Sequence, residues 1–114
     1  MPFIDLKTTV KINADKEKEL IREFGEKIAL LPGKTEDWLM LNFTDGCRMA
    51  FRGTTEPDIA YIEVKLLGAS TDAAYENLTA AITETVSKIL GVPSDRIYVK
   101  YEEISTWGYN GANF

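Results

Sequence analysis

The strongest constraint on this chain is that its pattern occurs twice. Ile62, Gly91 and Ile97 each fall 58 residues after Ile4, Gly33 and Leu39. At the same offset Asp5 meets Glu63, Lys7 meets Lys65, Leu20 meets Leu78, Glu26 meets Glu84, Asp37 meets Asp95 and Phe43 meets Tyr101. These pairs hold without a gap. The chain is therefore read as a single domain over 1–114 containing a duplicated unit, about 2–45 and 60–103.

Periodicity gives each unit a β-α-β reading. Residues Phe3–Lys7 alternate as a half-buried strand does. From Ala14 to Leu31 the residues Leu20, Ile21, Phe24, Ile28 and Leu31 form a helical stripe, with Asn13 or Asp15 as cap and Pro32-Gly33 as stop. Trp38–Phe43 alternates again, and Asp45-Gly46 turns into a short strand expected at Arg48–Phe51. The second unit repeats this: a strand at Tyr61–Lys65, a helix at Thr71–Leu90 closed by Gly91, and a strand at Ile97–Glu103.

A β-α-β crossover is right-handed and makes its two strands parallel. Two such units give an α+β fold of α/β type, a four-stranded mixed sheet with two helices on one face. The helix-facing row is then Ile4, Leu6, Leu39, Leu41, Phe43, Ile62, Val64, Ile97 and Val99. The other face carries Trp38, Met40, Asn42, Tyr61, Tyr98 and Lys100. Such sheets are rarely bare on one side, and Trp38 and Met40 suit water poorly. Self-association is the economical cover.

What is absent narrows the chemistry. A formal charge of −5 argues against a nucleic-acid partner, while leaving room for a cationic pocket that takes a small anion. No apolar run reaches the roughly 18 residues a membrane span needs. The chain has no histidine and one cysteine, Cys47, so zinc, Cys/His and Ser/His/Asp sites lack raw material. Neither a Walker loop nor a GxGxxG is present. No metal or cofactor is expected. With no basic-then-apolar start, a cytoplasmic setting is the default, secretion without a signal peptide being left open.

Pro2 is the candidate base. Excision of Met1 leaves a secondary amine directly on a strand, where a neighbouring pocket can desolvate it. Desolvation and nearby cations both lower an amine's pKa, so it can serve as a base near neutrality. In other settings a proline at this place does nothing.

Several segments together resemble the macrophage migration inhibitory factor and D-dopachrome tautomerase family: MPFIDLKT at 1–8, PGKTEDWLML at 32–41, MAFRGTTEP at 49–57, LLGAS at 66–70, PSDRIYVKYEE at 93–103 and WGYNGANF at 107–114. The resemblance runs from Pro2 to Phe114. It implies a tautomerase-fold homotrimer, sheets inside and helices outside, that interconverts keto and enol forms of aryl 2-oxo acids such as phenylpyruvate. Pro2 then matches the catalytic amine, and Lys34 the lysine that holds the substrate carboxylate. Leu67 matches the backbone N–H on the same carboxylate, and Tyr98 the tyrosine lent by a neighbouring subunit. Trp107, Tyr109 and Phe114 match the aromatic wall. Other readings stand beside these. Lys34 also suits a helix end, Tyr98 also suits a core position, and Trp107, Tyr109 and Phe114 also suit a hairpin about Asn110-Gly111.

The chain departs from the family in three places. Lys100 stands where the family has asparagine; pointing into the pocket, it would set a second cation before the carboxylate and favour a second acidic group on the substrate. The segment before Trp107 is about two residues short. The Cys-x-x-Cys of the cytokine is replaced at Asp58–Tyr61, so thiol-oxidoreductase chemistry does not carry over. Two other functions fit the resemblance. One is a cytokine-like binding or signalling protein with a vestigial site and an unidentified receptor. The other is a decarboxylase or dehalogenase of a small unsaturated acid, for which Arg48, Arg52 and Glu102 are available.

Overall fold

In the computed structural model, which describes residues 1–114, the repeat becomes two interlocked β-α-β units. The first runs β1 (Pro2–Thr8), α1 (Ala14–Lys27) and β2 (Met40–Thr44). The second runs β3 (Ala60–Leu67), α2 (Asp72–Leu90) and β4 (Ile97–Ile104). The sheet order is β2-β1-β3-β4. Within each unit the strands are parallel, and the units join through the antiparallel pair β1–β3. A short hairpin, β5 (Gly108–Tyr109) and β6 (Ala112–Asn113), ends the chain.

Local chemistry sets the helix ends. The Asn13 side chain accepts from Lys16 N–H at 2.8 Å, and Thr71 accepts from Ala74 N–H at 3.1 Å, each meeting one orphan donor of a first turn. Gly91 closes α2 at φ 74°, and its duplicate Gly33 turns at φ 81° after α1, a backbone region that costs a side chain dearly. The α-helix α1 stops at Lys27, and Ile28–Leu30 tighten into a 3-10 turn instead of continuing to Leu31.

Leu20, Phe24, Ile28 and Leu31 from the first unit meet Leu78, Ile82 and Val86 from the second, over Ile4, Leu6, Ile62 and Val64 of the sheet. Leu39, Leu41, Phe43, Ile97 and Val99 pack against this core from the flanking strands, so the helix-facing row is as the alternation requires. Ile21 is the exception. One position round from Leu20, it turns to solvent.

Two local expectations are corrected. Trp38 lies in a 3-10 turn (Glu36–Trp38), not in β2. Arg48–Phe51 is not a strand in this chain: Phe51 bridges only to Thr54, and the backbone of residues 48–50 makes no hydrogen bond. The loop is held instead from beneath. Buried Arg96 donates to the carbonyls of Pro57 at 2.7 Å, Thr54 at 3.1 Å and Phe51 at 3.4 Å, its guanidinium 5.5 Å from the Phe51 ring centroid. No helix is long and apolar enough to cross a membrane.

Candidate active site

Everything gathers at the start of β1. This strand lies between β2 and β3, which places Pro2 opposite Leu66 inside the sheet rather than on a loose end. Pro2 is buried, and as the first residue of its strand it forfeits no ladder donor. Residues 31–34 bring Lys34 to the same corner through the Gly33 turn, with Lys34 N–H bonded to Leu31 O at 3.0 Å. The Lys34 ammonium donates to Leu67 O at 2.9 Å. Leu67 N–H donates to Met1 O at 3.1 Å. Pro2, Lys34 and Leu67, chosen from three distant segments, therefore meet in one place.

The Met1 amine shows the electrostatics of this corner. It is held below the ordinary value for an α-amine, first by burial, then by the charge of Lys34 and by a hydrogen bond with it. Each cause disfavours a second positive charge beside Lys34.

The turn after Leu67 is tied down at several points. Gly68 N–H donates to Ile104 O at 2.9 Å. The Tyr75 hydroxyl accepts from Ser70 N–H at 3.0 Å and donates to Glu103 at 2.5 Å. The half-buried Thr79 and Tyr101 hydroxyls pair at 2.8 Å nearby. Both α2 and β4 thus fix the segment that presents the Leu67 N–H.

A cleft of about 480 Å³ opens against Pro2, walled by Phe3, Asp37, Trp38, Leu39, Met40, Trp107, Gly108 and Tyr109. The terminal hairpin folds back to build it, closed by Phe114 N–H on Trp107 O at 3.0 Å. Tyr109 meets Trp38 edge-on at 5.0 Å between ring centroids, and Phe114 sits 6.4 Å from Trp38 and 6.1 Å from Tyr109. Trp107 and Tyr109 therefore line the cleft at Pro2, and Phe114 packs on Trp38 and Tyr109 behind it. Trp38, Asp37 and Met40 are wall residues that sequence reasoning placed elsewhere or passed over.

Tyr98 and Lys100 do not join them. Tyr98 pairs with Tyr61, five residues down β3 from the level of Pro2, or roughly 17 Å along the strand. Its ring packs edge-on against Phe51 at 5.2 Å. Lys100 lies on the open sheet face, 2.9 Å from Glu102 and 3.7 Å from Glu63. The Glu102 hydrogen bond and charge raise its pKa, so this cation is already matched by carboxylates. Of the residues suited to the third function, Arg52 lies over the Phe51 ring and Glu102 pairs with Lys100; neither they nor Arg48 line the Pro2 cleft.

Two β-α-β units joined antiparallel, with a buried N-terminal proline at a lysine-flanked cleft, define a tautomerase-fold protein. Comparison with known proteins makes the assignment narrower. The sequence profile described as macrophage migration inhibitory factor (MIF) matches residues 1–114. MIF-like protein mif-2 of Caenorhabditis elegans is 30% identical, the match covering 97% of this chain and 92% of that one. Among solved structures, MIF2 of Leishmania major superposes at a TM-score of 0.93 with 32% identity, covering 100% of this chain and 97% of that chain. The homologue from Prochlorococcus marinus gives 0.88 with 33% identity, covering 98% of each. The chain belongs to the macrophage migration inhibitory factor family.

Proposed function

We infer that the protein is a cofactor-independent keto–enol tautomerase of aryl 2-oxo acids of the phenylpyruvate type, working through the amine of Pro2. The observation that carries this reading is the position of the Met1 carbonyl. It takes the Leu67 N–H, while the Lys34 ammonium lies on Leu67 O and beside the Met1 amine, so a backbone donor and a cation flank the same corner. Removal of Met1 frees that N–H and leaves the secondary amine of Pro2 facing the cleft.

The chemistry follows from the placement. The substrate carboxylate takes the place of the Met1 carbonyl, and its aryl group lies against Trp107, Tyr109 and Phe114. Pro2, whose amine shares the burial and the Lys34 charge that lower the pKa of the Met1 amine, takes a proton from C3. The C3–H electron pair becomes the C2–C3 double bond, and the carbonyl π pair moves to oxygen. Lys34 stabilises the enolate electrostatically, and the proton held on Pro2 is returned to that oxygen. Reversal gives the ketone. No electron leaves the substrate, so no redox partner is required.

The unit of function in this reading is a homotrimer. Met40 is 68% and Tyr98 61% exposed on the open sheet face. The backbone of residues 48–50 makes no hydrogen bond within its own chain. Tyr98 lies beyond reach of its own cleft, and in this reading it enters a neighbour's.

The test is enolisation of phenylpyruvate and hydroxyphenylpyruvate by protein with a free Pro2 terminus. A form carrying one extra residue before Pro2 should fall by about 10²–10⁴-fold, the worth of a positioned general base. Activity that survives this block overturns the proline mechanism. Silence in every form transfers the function to binding or signalling.

A further inference from the structure

The cleft against Pro2 is apolar apart from one carboxylate. Asp37 is the only charged side chain in its wall, and it makes no hydrogen bond or ion pair with the rest of the chain. Its place is fixed rather than incidental. The 3-10 turn Glu36–Trp38 lays Glu36 over Gly25 of α1, where any Cβ would collide with the Glu36 carboxylate. Asp37 is then held beside Trp38, whose ring meets those of Tyr109 and Phe114. The site is thus polarised, with the Lys34 ammonium beside the Met1 amine at one end and Asp37 in the cleft wall next to Trp38.

We propose that Asp37 determines substrate specificity, selecting aryl 2-oxo acids whose ring bears a cationic or hydrogen-bond-donating group and rejecting those with a second acid. The proposal rests on the tautomerase reading for the orientation of the bound acid: carboxylate at Lys34 and Leu67, ring outward. A ring ammonium then gains both the Asp37 charge and the faces of Trp38 and Tyr109, which attract cations. A ring carboxylate meets like charge at the same point. Lys100, the lysine expected to welcome a second acid, has its charge matched by Glu63 and Glu102. The unmatched charge at this cleft is negative.

The experiment compares para-aminomethyl-, para-carboxy- and unsubstituted phenylpyruvate on the processed protein and on Asp37→Asn. Asp37 is exposed and unpartnered, so this substitution leaves folding intact. The ratio of kcat/KM for the ammonium acid over the dicarboxylic acid should fall about 3–10-fold in Asp37→Asn, because an exposed attraction and an exposed repulsion are both removed. Raising salt from about 20 to about 300 mM should shrink the wild-type ratio. A ratio equal in the two proteins overturns the proposal.

Binding separates this outcome from failure of the tautomerase reading. The saturated 3-arylpropionates with the same para groups are titrated by quenching of Trp38 and Trp107 fluorescence. A preference for the ammonium ligand that Asp37→Asn loses supports the selectivity even where no enol forms. Equal preference in both proteins refutes it whatever the turnover.

Discussion

At Pro2 the decisive quantity is whether an amine is neutral at the pH of the cell. The Met1 amine is already lowered, by burial and then by Lys34. The amine of Pro2 lies one residue further into the buried strand and inherits both causes in the same sense. A base works unprotonated, so a lowered pKa moves the acid limb of kcat/KM to lower pH. Replacing Lys34 by Ala removes the cation, lets the amine's pKa rise and should carry that limb to higher pH. It also deletes a charge-assisted contact to the substrate carboxylate, so kcat/KM on the alkaline plateau should fall about 10-fold or more. Lys34→Arg keeps the charge and should leave the limb near its wild-type place. A full pH profile of phenylpyruvate turnover reads all three proteins. A limb that stays put in Lys34→Ala while the plateau falls would leave Lys34 a substrate anchor without influence on the base.

At the scale of elements, the turn between β3 and α2 and the loop between β2 and β3 carry different tasks. The Tyr75 hydroxyl ties Ser70 to Glu103 and so steadies the turn that presents the Leu67 N–H. Tyr75→Phe removes both bonds and leaves Gly68 N–H on Ile104 O as the remaining tie. Because the carboxylate is held alike in ground and transition states, KM should rise about 3–10-fold while kcat stays within about 2-fold. Steady-state kinetics decide this, and an unchanged KM would make the latch purely structural. Arg96 serves the other loop. Arg96→Met removes three hydrogen bonds, leaves Pro57 O without a donor, and should cost about 2 kcal/mol, read as a shift in urea midpoint at fixed protein concentration. These same elements show what periodicity conveys. Helices and core strands were legible because Leu20, Phe24, Leu78 and Ile82 repeat at the helical period and Ile4, Leu6, Ile62 and Val64 at the strand period. Pro2 was marked by its secondary amine on a strand, but Lys34 and Leu67 were reachable only through family resemblance, since no spacing links them to it. Arg48–Phe51 alternates like a strand but finds no partner in its own chain. Trp38 alternates with Leu39 and Met40, yet the Glu36 side chain seated on Gly25 pulls it into a 3-10 turn. Asp37 escaped notice because its chemistry appears only when the terminal hairpin closes a wall beside it.

For the whole molecule, the division of site residues between two regions of one chain makes assembly measurable through activity. Pro2, Lys34 and Leu67 stand at one end of the central strands, and Tyr98 stands at the far end of β4, beyond reach of its own cleft. In a closed three-fold ring each cleft borrows Tyr98 from one neighbour, and the contact is heterologous. A chain blocked before Pro2 and a Tyr98→Ala chain are then each deficient, but in different halves of the site. Mixed in equal amounts, dissociated and reassembled at random, about one cleft in four receives both a free Pro2 and an intact Tyr98. Recovery to about a quarter of wild-type activity, above the mean of the two variants alone, is the expected result. Light scattering on the mixture should give about three times the chain mass of 12.8 kDa. A site completed within one chain predicts instead that mixing only averages the two activities, and that outcome would remove Tyr98 from the catalytic apparatus. The open sheet face favours recovery. Its central charges are already paired, Asp5 with Lys7 at 2.7 Å and Lys100 with Glu102 at 2.9 Å, so they enter an interface without a net charge to bury. Met40 and Tyr98 supply the apolar area that gains from leaving water, and the unpaired backbone at 48–50 supplies hydrogen bonds that only a second chain can complete.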